Sequence, residues 1–230
     1  EVLFYGYATA LNHELREKYK DYKRRVYINF EIPCSFLNIH RHDEYGNTLK
    51  QMSYFTEVYS ICPYTTIWMN AHPDVSTKFY TIPFPFPADK FKKYETTIPE
   101  QKVNDICYYG HLHSSDYVDA LDVVKDFNYR FISLASYPGL LTDHNVTSEQ
   151  KWDILNGSKS SLIFNLLYVR EEQQEIVRSH HLWEHHPAFK LLQYKVLPQL
   201  KTRCFEAAAA KTVQLVFRDP WMLVERWFEA

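Results

Sequence analysis

The chain of 230 residues is 46% hydrophobic and 23% charged with a net charge of −2, enough polypeptide for one large core or two modest ones. Scattered lysine and arginine argue against a nucleic-acid partner, and no run reaches the roughly 18 apolar residues of a membrane-spanning helix. Only five glycines are present, with no G-x-G-x-x-G, P-loop or G-x-S-x-G, so dinucleotide oxidoreductases, P-loop NTPases and α/β-hydrolases lose their signatures.

In chain order, "VLFYGY" (Val2–Tyr7) is a short apolar strand, and "ALNHELREKYKDY" after it has helical spacing. "RRVYINFEI" is a second strand ending at Pro33, and "NTLKQMSYF" is a helix with Asn47 as N-cap. "EVYSIC" reads as a strand, "YTTIWMNAH" as a helix and "KFYTIPF" as a strand. This βαβαβαβ rhythm implies a parallel, doubly wound sheet over residues 1–85. The stretch "PFPFPADKFKKYETTIPEQK" (Pro83–Lys102) then breaks it with four of the eleven prolines. Proline fixes φ and lacks a donor, so residues 86–102 are expected to be a linker outside either sheet.

The rhythm restarts over residues 103–230, the expected second domain. "VNDICYYG" is a strand stopping at Gly110. "SSDYVDALDVVKDF" is a helix capped by Ser114 or Ser115, with Ala120, Val123, Val124 and Phe127 on its apolar face. "YRFISLAS" is a strand, and "TSEQKWDILNG" a helix with a Thr/Ser start and an Asn-Gly stop. "SSLIFNLLYV" reads as one long buried strand. A histidine-rich polar stretch follows, then "LPQLKTRCFEAAAAK" as a helix opened by Leu197 or Pro198, and "TVQLVFR" as a strand. "DPWMLVERWFE" closes the chain with Asp219 at N-cap and Pro220 at the first helical position. Cys34, Cys62, Cys107 and Cys204 form no C-x-x-C, so reduced thiols and a cytoplasmic setting are expected. The triplets Asn145-Val-Thr and Asn156-Gly-Ser, both N-glycosylation sequons, point the other way.

Parallel sheets bind ligands beyond the carboxyl ends of their strands, where helix N-termini suit phosphate. In "LKTRCFEAAAAK", Arg203 and Glu206 are three apart, on one helix face. Arginine takes a diphosphate in bidentate fashion, and a carboxylate accepts hydrogen bonds from vicinal ribose hydroxyls. On spacing alone the two also read as an ion pair on a solvated face, and the alanines as helix propensity.

"RCFEAAAAKTVQLV…D" resembles the R-x-F-E-A-(small)-(small)…L-L…D signature in the donor domain of GT-B glycosyltransferases, in particular the spore-coat CgeB-like group. "FTEVYSICPYTTIWMN", "IPFPFP", "KVNDICYYGHLHS" and "GSKSSLIFNLL" resemble further segments of that group in the same order, from Phe55 onward. The resemblance implies an α/β GT-B fold: two Rossmann-like doubly wound domains facing across a cleft, with the acceptor in residues 1–85 and the donor in 103–230. It implies that Glu206 holds the nucleotide ribose, and that Arg203 and the backbone at Thr202 meet the diphosphate. Gly110 and His111 then line the nucleotide-sugar, and Lys159 and Asn165 face it. The implied partners are a nucleotide-sugar, UDP-linked more often than GDP-linked, and a glycan acceptor. No metal or other cofactor is implied, because helix dipole and cations offset the leaving diphosphate, and the lack of a D-x-D pair agrees. Where relatives carry a glycine after the small residues this chain has Lys211, so a different turn is expected there. The helix that in relatives crosses back to the first domain is not recognisable in the sequence.

An inverting transfer needs a base in the acceptor domain. Glu31, after the strand "VYINF", is the first choice, with Asp43 and then His13 behind it; each also reads as an ordinary loop residue. "RSHHLWEHH" places His181 and His185 at zinc-like spacing without a third ligand nearby, and reads as a surface or acceptor-facing loop. Trp183 and Tyr64 are candidates to stack on a sugar. The tyrosine-rich, glycine-poor style is also similar to short glycosyltransferases of large algal DNA viruses, which implies host cytoplasm and a pentose or deoxyhexose donor such as UDP-xylose. The rival expectations are a non-catalytic GT-B-like module and a periplasmic-type binding protein.

Overall fold

The structure, a computed structural model, describes residues 1–6, 10, 12–29, 50–73, 75–83, 87–95, 98–112, 115–168, 196–198, 201–216 and 218–219. Strand and helix alternate along it as β1 (Val2–Tyr5), α1 (His13–Lys18), β2 (Arg25–Asn29), β3 (Glu57–Ser60), α2 (Pro63–Ala71), β4 (Lys78–Thr81) and α3 (Ala88–Glu95). There follow β5 (Asn104–Tyr109), α4 (Ser115–Val124), β6 (Tyr129–Ser133), β7 (Asp143–His144), α5 (Ser148–Asn156), β8 (Ser158–Ile163), β9 (Leu166–Tyr168), β10 (Val196–Pro198), α6 (Thr202–Ala209) and β11 (Val213–Val216).

The chain divides into two compact units. The first comprises Glu1–Phe84, Leu166–Leu200 and Arg218–Ala230. Its main sheet has the order β1-β2-β3-β4 with every pair parallel. The helix α2 starts because Pro63 stands at its first position and the Cys62 Sγ accepts from the Thr65 N–H. Its core is aromatic: Phe4 meets Tyr19, Tyr54 and Phe55 edge-on at 6.1, 5.7 and 5.3 Å, the favoured geometry for ring quadrupoles.

The second unit comprises Pro85–Asn165 and Lys201–Phe217. Its sheet has the order β11-β8-β5-β6-β7, again parallel throughout. The first strand of the unit, β5, therefore sits in the middle. The chain winds outward through β6 and β7, then returns to the other side of β5 with β8 and β11. The order reverses between β5 and β8, which is the switch point where doubly wound sheets bind ligands. The central strand runs "NDICYY" with five of six residues buried, the near-continuous apolar pattern of a strand covered on both faces.

Several elements differ from the sequence expectation. The Pro-rich segment is not bare linker: α3 belongs to the second unit, where Phe91 and Tyr94 pack on Trp152 with ring centroids 5.1 and 4.8 Å apart. The run "SSLIFNLLYV" is two strands. β8 ends at Ile163 in the second unit, whereas β9 pairs antiparallel with β10 in the first. The expected helix opening at Leu197 or Pro198 is that strand β10, and α6 starts at Thr202. Proline fits there because it stands at the last residue of a two-stranded ribbon. In α4 the apolar face is Tyr117, Leu121 and Val124, at i, i+4 and i+7; Val123 and Phe127 are exposed. Residues 166–200 and 218–230 group with residues 1–84 rather than with the second unit. The chain thus returns to the first unit at Arg218, a crossing that the sequence does not reveal. Asp219 is fully buried there and accepts a hydrogen bond from the Tyr64 hydroxyl; the helix it is expected to cap lies outside the described residues. That contact fixes Tyr64 inside the first unit rather than on a sugar-binding surface.

Candidate functional site

In a parallel α/β unit the helices run antiparallel to the strands, so the N-termini of α5 and α6 lie at the carboxyl ends of the strands, where Gly110 follows β5. The helix α5 begins with a complete capping box. Thr147 Oγ1 accepts from the Gln150 N–H at 3.2 Å, and Gln150 Oε1 accepts from the Thr147 N–H at 2.8 Å. The helix α6 has Lys201 at its N-cap with no side-chain cap bond. N–H groups in the first turn of a helix, Thr202 and Arg203 here, have no carbonyl partner within it.

Gly110 explains its own identity. Its φ is +137°, and a Cβ built there would lie 2.1 Å from an Arg203 guanidinium nitrogen and 2.5 Å from the guanidinium carbon. The arginine occupies the space that any other side chain would take. Its guanidinium carbon stands 6.0 Å from the ring centre of Tyr108 and 5.8 Å from that of Tyr109, within cation–π range. The Tyr109 hydroxyl donates to the Arg203 carbonyl at 3.2 Å and so ties β5 to α6.

Glu206, one turn further along α6, is 8% exposed. Its Oε1 accepts from the Lys151 ammonium at 2.7 Å. Lys151 reaches across from α5 over the faces of Tyr109 and Trp152, at 5.3 and 5.6 Å. Two cations and one carboxylate therefore meet at the end of β5, an excess of positive charge suited to an anion. Burial, and next the neighbouring Glu206 carboxylate, push the Tyr109 phenol well above its ordinary range. Burial pushes the Tyr108 phenol up to about 12 and the Cys204 thiol to about 11. All three stay protonated at neutral pH, and none supplies a nucleophile.

Beside this cluster lies a pocket of about 280 Å³ lined by Tyr109, Gly110, His111, Ser133, Thr147 and Lys151 among others. The Tyr108 hydroxyl donates to the His111 carbonyl at 2.8 Å and shapes the loop after Gly110.

Of the residues expected from sequence, Gly110, His111, Arg203 and Glu206 converge here, with Thr202 at the start of the same helix. Lys159 does not join them. It pairs with Asp105 at 2.7 Å, exposed, at the amino end of the sheet. Asp105 precedes Gly110 by five residues, roughly 16 Å of extended strand. Asn165 is 2% exposed, and its N–H donates to the Ile163 carbonyl at 2.9 Å, turning the chain out of β8. His13 is exposed at the first position of α1. Glu31, Asp43, His181, His185 and Trp183 lie outside the described residues. Sequence reasoning missed Lys151, Tyr109 and Thr147. The capping pattern Thr-x-x-Gln was visible, but nothing local marked Lys151 as aimed at a helix 55 residues later. Asn156 of the second sequon is 1% exposed, with its amide donating to the Tyr94 carbonyl at 2.8 Å, so the folded unit offers no acceptor there. Among the described residues no helix is long and apolar enough to cross a membrane.

No protein-family profile and no curated protein matches the chain. Solved structures do. One is a trehalose-6-phosphate synthase studied for glycosyl transfer with retention using bisubstrate glycomimetics, with a TM-score of 0.54 at 11% identity, covering 93% of this chain and 57% of that one. Another, an apo structure of OtsA, gives 0.50 at 12% identity, covering 76% of this chain and 55% of that one. The chain spans little more than half the length of these GT-B glycosyltransferases. The likeness carries the fold: this is an α/β protein of parallel sheets that shares the fold of GT-B glycosyltransferases.

Proposed function

We propose that the chain is a glycosyltransferase that takes a sugar from a nucleotide-sugar held by the second unit and passes it to a hydroxyl of a glycan acceptor. The observation that carries this is the cluster at the end of β5. Gly110 is shaped around Arg203, and Glu206 is buried one helical turn away beside Lys151. In this reading Arg203 and the first turn of α6 take the diphosphate, and Glu206 accepts from the ribose hydroxyls. His111 and the adjacent pocket receive the remainder of the donor. Lys159 is left out, since it is spent on Asp105. The same cations stabilise the departing nucleoside diphosphate without a bound metal. UDP is the proposed carrier, with a pentose or deoxyhexose such as xylose as the sugar, and Glu31 or Asp43 as the base if the transfer inverts.

The test is a thermal-shift screen of UDP, GDP, CMP and their common sugars, in EDTA, on wild type and Glu206→Gln. One nucleotide class should raise the midpoint of wild type, as expected for a ligand at about 100 times its Kd, worth about 2.7 kcal/mol. The shift should shrink in the variant. No shift with any nucleotide would remove the transferase reading.

A further inference from the structure

Lys151 stands in a position that local energetics disfavour. It is four residues after the Thr147 cap of α5, near the positive end of the helix, where a cation is destabilising. Its ammonium is nevertheless drawn over two aromatic rings onto Oε1 of Glu206, with side-chain exposures of 25% and 10% for the two partners. Such a pair loses hydration on both sides and is held only if its geometry is good. It joins α6 to α5, whose N-terminal residues Thr147 and Ser148 line the pocket together with Lys151 itself.

From this geometry we infer that Lys151 is a positioning residue for the nucleotide-sugar: it fixes the Glu206 carboxylate in one orientation, so that both ribose hydroxyls can donate to it. This rests on the nucleotide-sugar reading above. Among the described residues, Lys151 from α5 and Tyr109 from β5 meet the Glu206 carboxylate, and Arg203 stands one turn before it on its own helix. Lys102 is turned to the far end of α6, where it donates to the Ala210 carbonyl at 2.8 Å. Tyr109 stays neutral, and Arg203 is engaged at Gly110. Lys151 is therefore the cation that meets the carboxylate directly. Without it, a carboxylate held away from water takes up a proton as pH falls, and a protonated carboxyl is a poorer acceptor.

The experiment measures the Kd of the nucleotide that stabilises wild type between pH 5.5 and 8, by calorimetry, for wild type, Lys151→Met, Lys151→Gln and Lys151→Arg. Wild type and Lys151→Arg should bind with little pH dependence. The Met and Gln variants should bind at least tenfold more weakly at pH 5.5 and recover several-fold by pH 8. A ligand-free arm compares unfolding of Lys151→Met with Lys151→Met/Glu206→Gln. The single variant should lose stability relative to the double as pH rises, by about tenfold in the unfolding constant. Equal affinity of all four proteins at every pH, or a uniform loss with no pH dependence and no separation in the ligand-free arm, would overturn the assignment to Lys151. Failure of wild type to bind any nucleotide would instead overturn the reading on which it rests.

Discussion

At the scale of single residues, Gly110 and Lys211 both adopt positive φ, and for opposite reasons. Gly110 is glycine because its backbone conformation and the Arg203 guanidinium leave no room for a Cβ. In Gly110→Ala, Arg203 must move and the backbone carries strain of about 1–3 kcal/mol. The expected result is a protein that unfolds at lower denaturant and loses most nucleotide affinity together. A variant with wild-type affinity would mean that Arg203 is not positioned by this contact. Lys211 has φ +52° with its side chain exposed, at the turn between α6 and β11, and its N–H donates to the Ala208 carbonyl at 3.0 Å. This is the left-handed helix end that glycine normally fills. The turn is therefore kept, and a lysine bears the cost of it. Relief of about 1–2 kcal/mol of left-handed strain, less the entropy that glycine adds to the unfolded chain, predicts that Lys211→Gly raises stability by about 0.5–1 kcal/mol in urea titration. The opposite sign would mean that the lysine side chain makes a contact of compensating value.

At the scale of elements, β5 is the strand around which the site is built, and its two tyrosines tie it to the loop and helix above. Tyr108 is almost completely buried, with its hydroxyl on the His111 carbonyl. Its folded value of about 12 lies above the ordinary 10 because burial disfavours the phenolate. In the unfolded chain the phenol releases its proton first, so the unfolded state binds fewer protons between these values. Stability is therefore retained below pH 10 and lost as pH rises from 10 to about 12, by about 2–3 kcal/mol. Tyr108→Phe should cost about 1 kcal/mol at pH 7 for the lost hydrogen bond, and should show a shallower alkaline loss than wild type in denaturant titrations at stepped pH. Parallel slopes would remove Tyr108 as the cause. The strand itself was readable from "NDICYYG", whose apolar run ends at a glycine. The buried face of α4 was not, because Ala120, Val123, Val124 and Phe127 offer as good a 3.6-residue stripe as Tyr117, Leu121 and Val124. Only the sheet against which the helix lies selects between them.

At the scale of the whole molecule, alternating strand and helix patterns determined from sequence alone that the chain forms parallel α/β sheets, since a parallel pair needs a crossover and the pattern supplies one each time. Resemblance of its motifs to a GT-B donor domain also singled out Gly110, His111, Arg203 and Glu206, where spacing alone left Arg203 and Glu206 open to being a solvated ion pair. Tertiary structure decided the rest. It showed that Lys159 lies at the amino end of the sheet, which register alone fixes. It brought Lys151 to Glu206 across 55 positions of chain. It divided "SSLIFNLLYV" between two units and returned Asp219 to Tyr64 in the first. Hydrophobic periodicity reports which face of an element is buried but not against what, and an ion pair between two helices leaves no periodic trace in either of them.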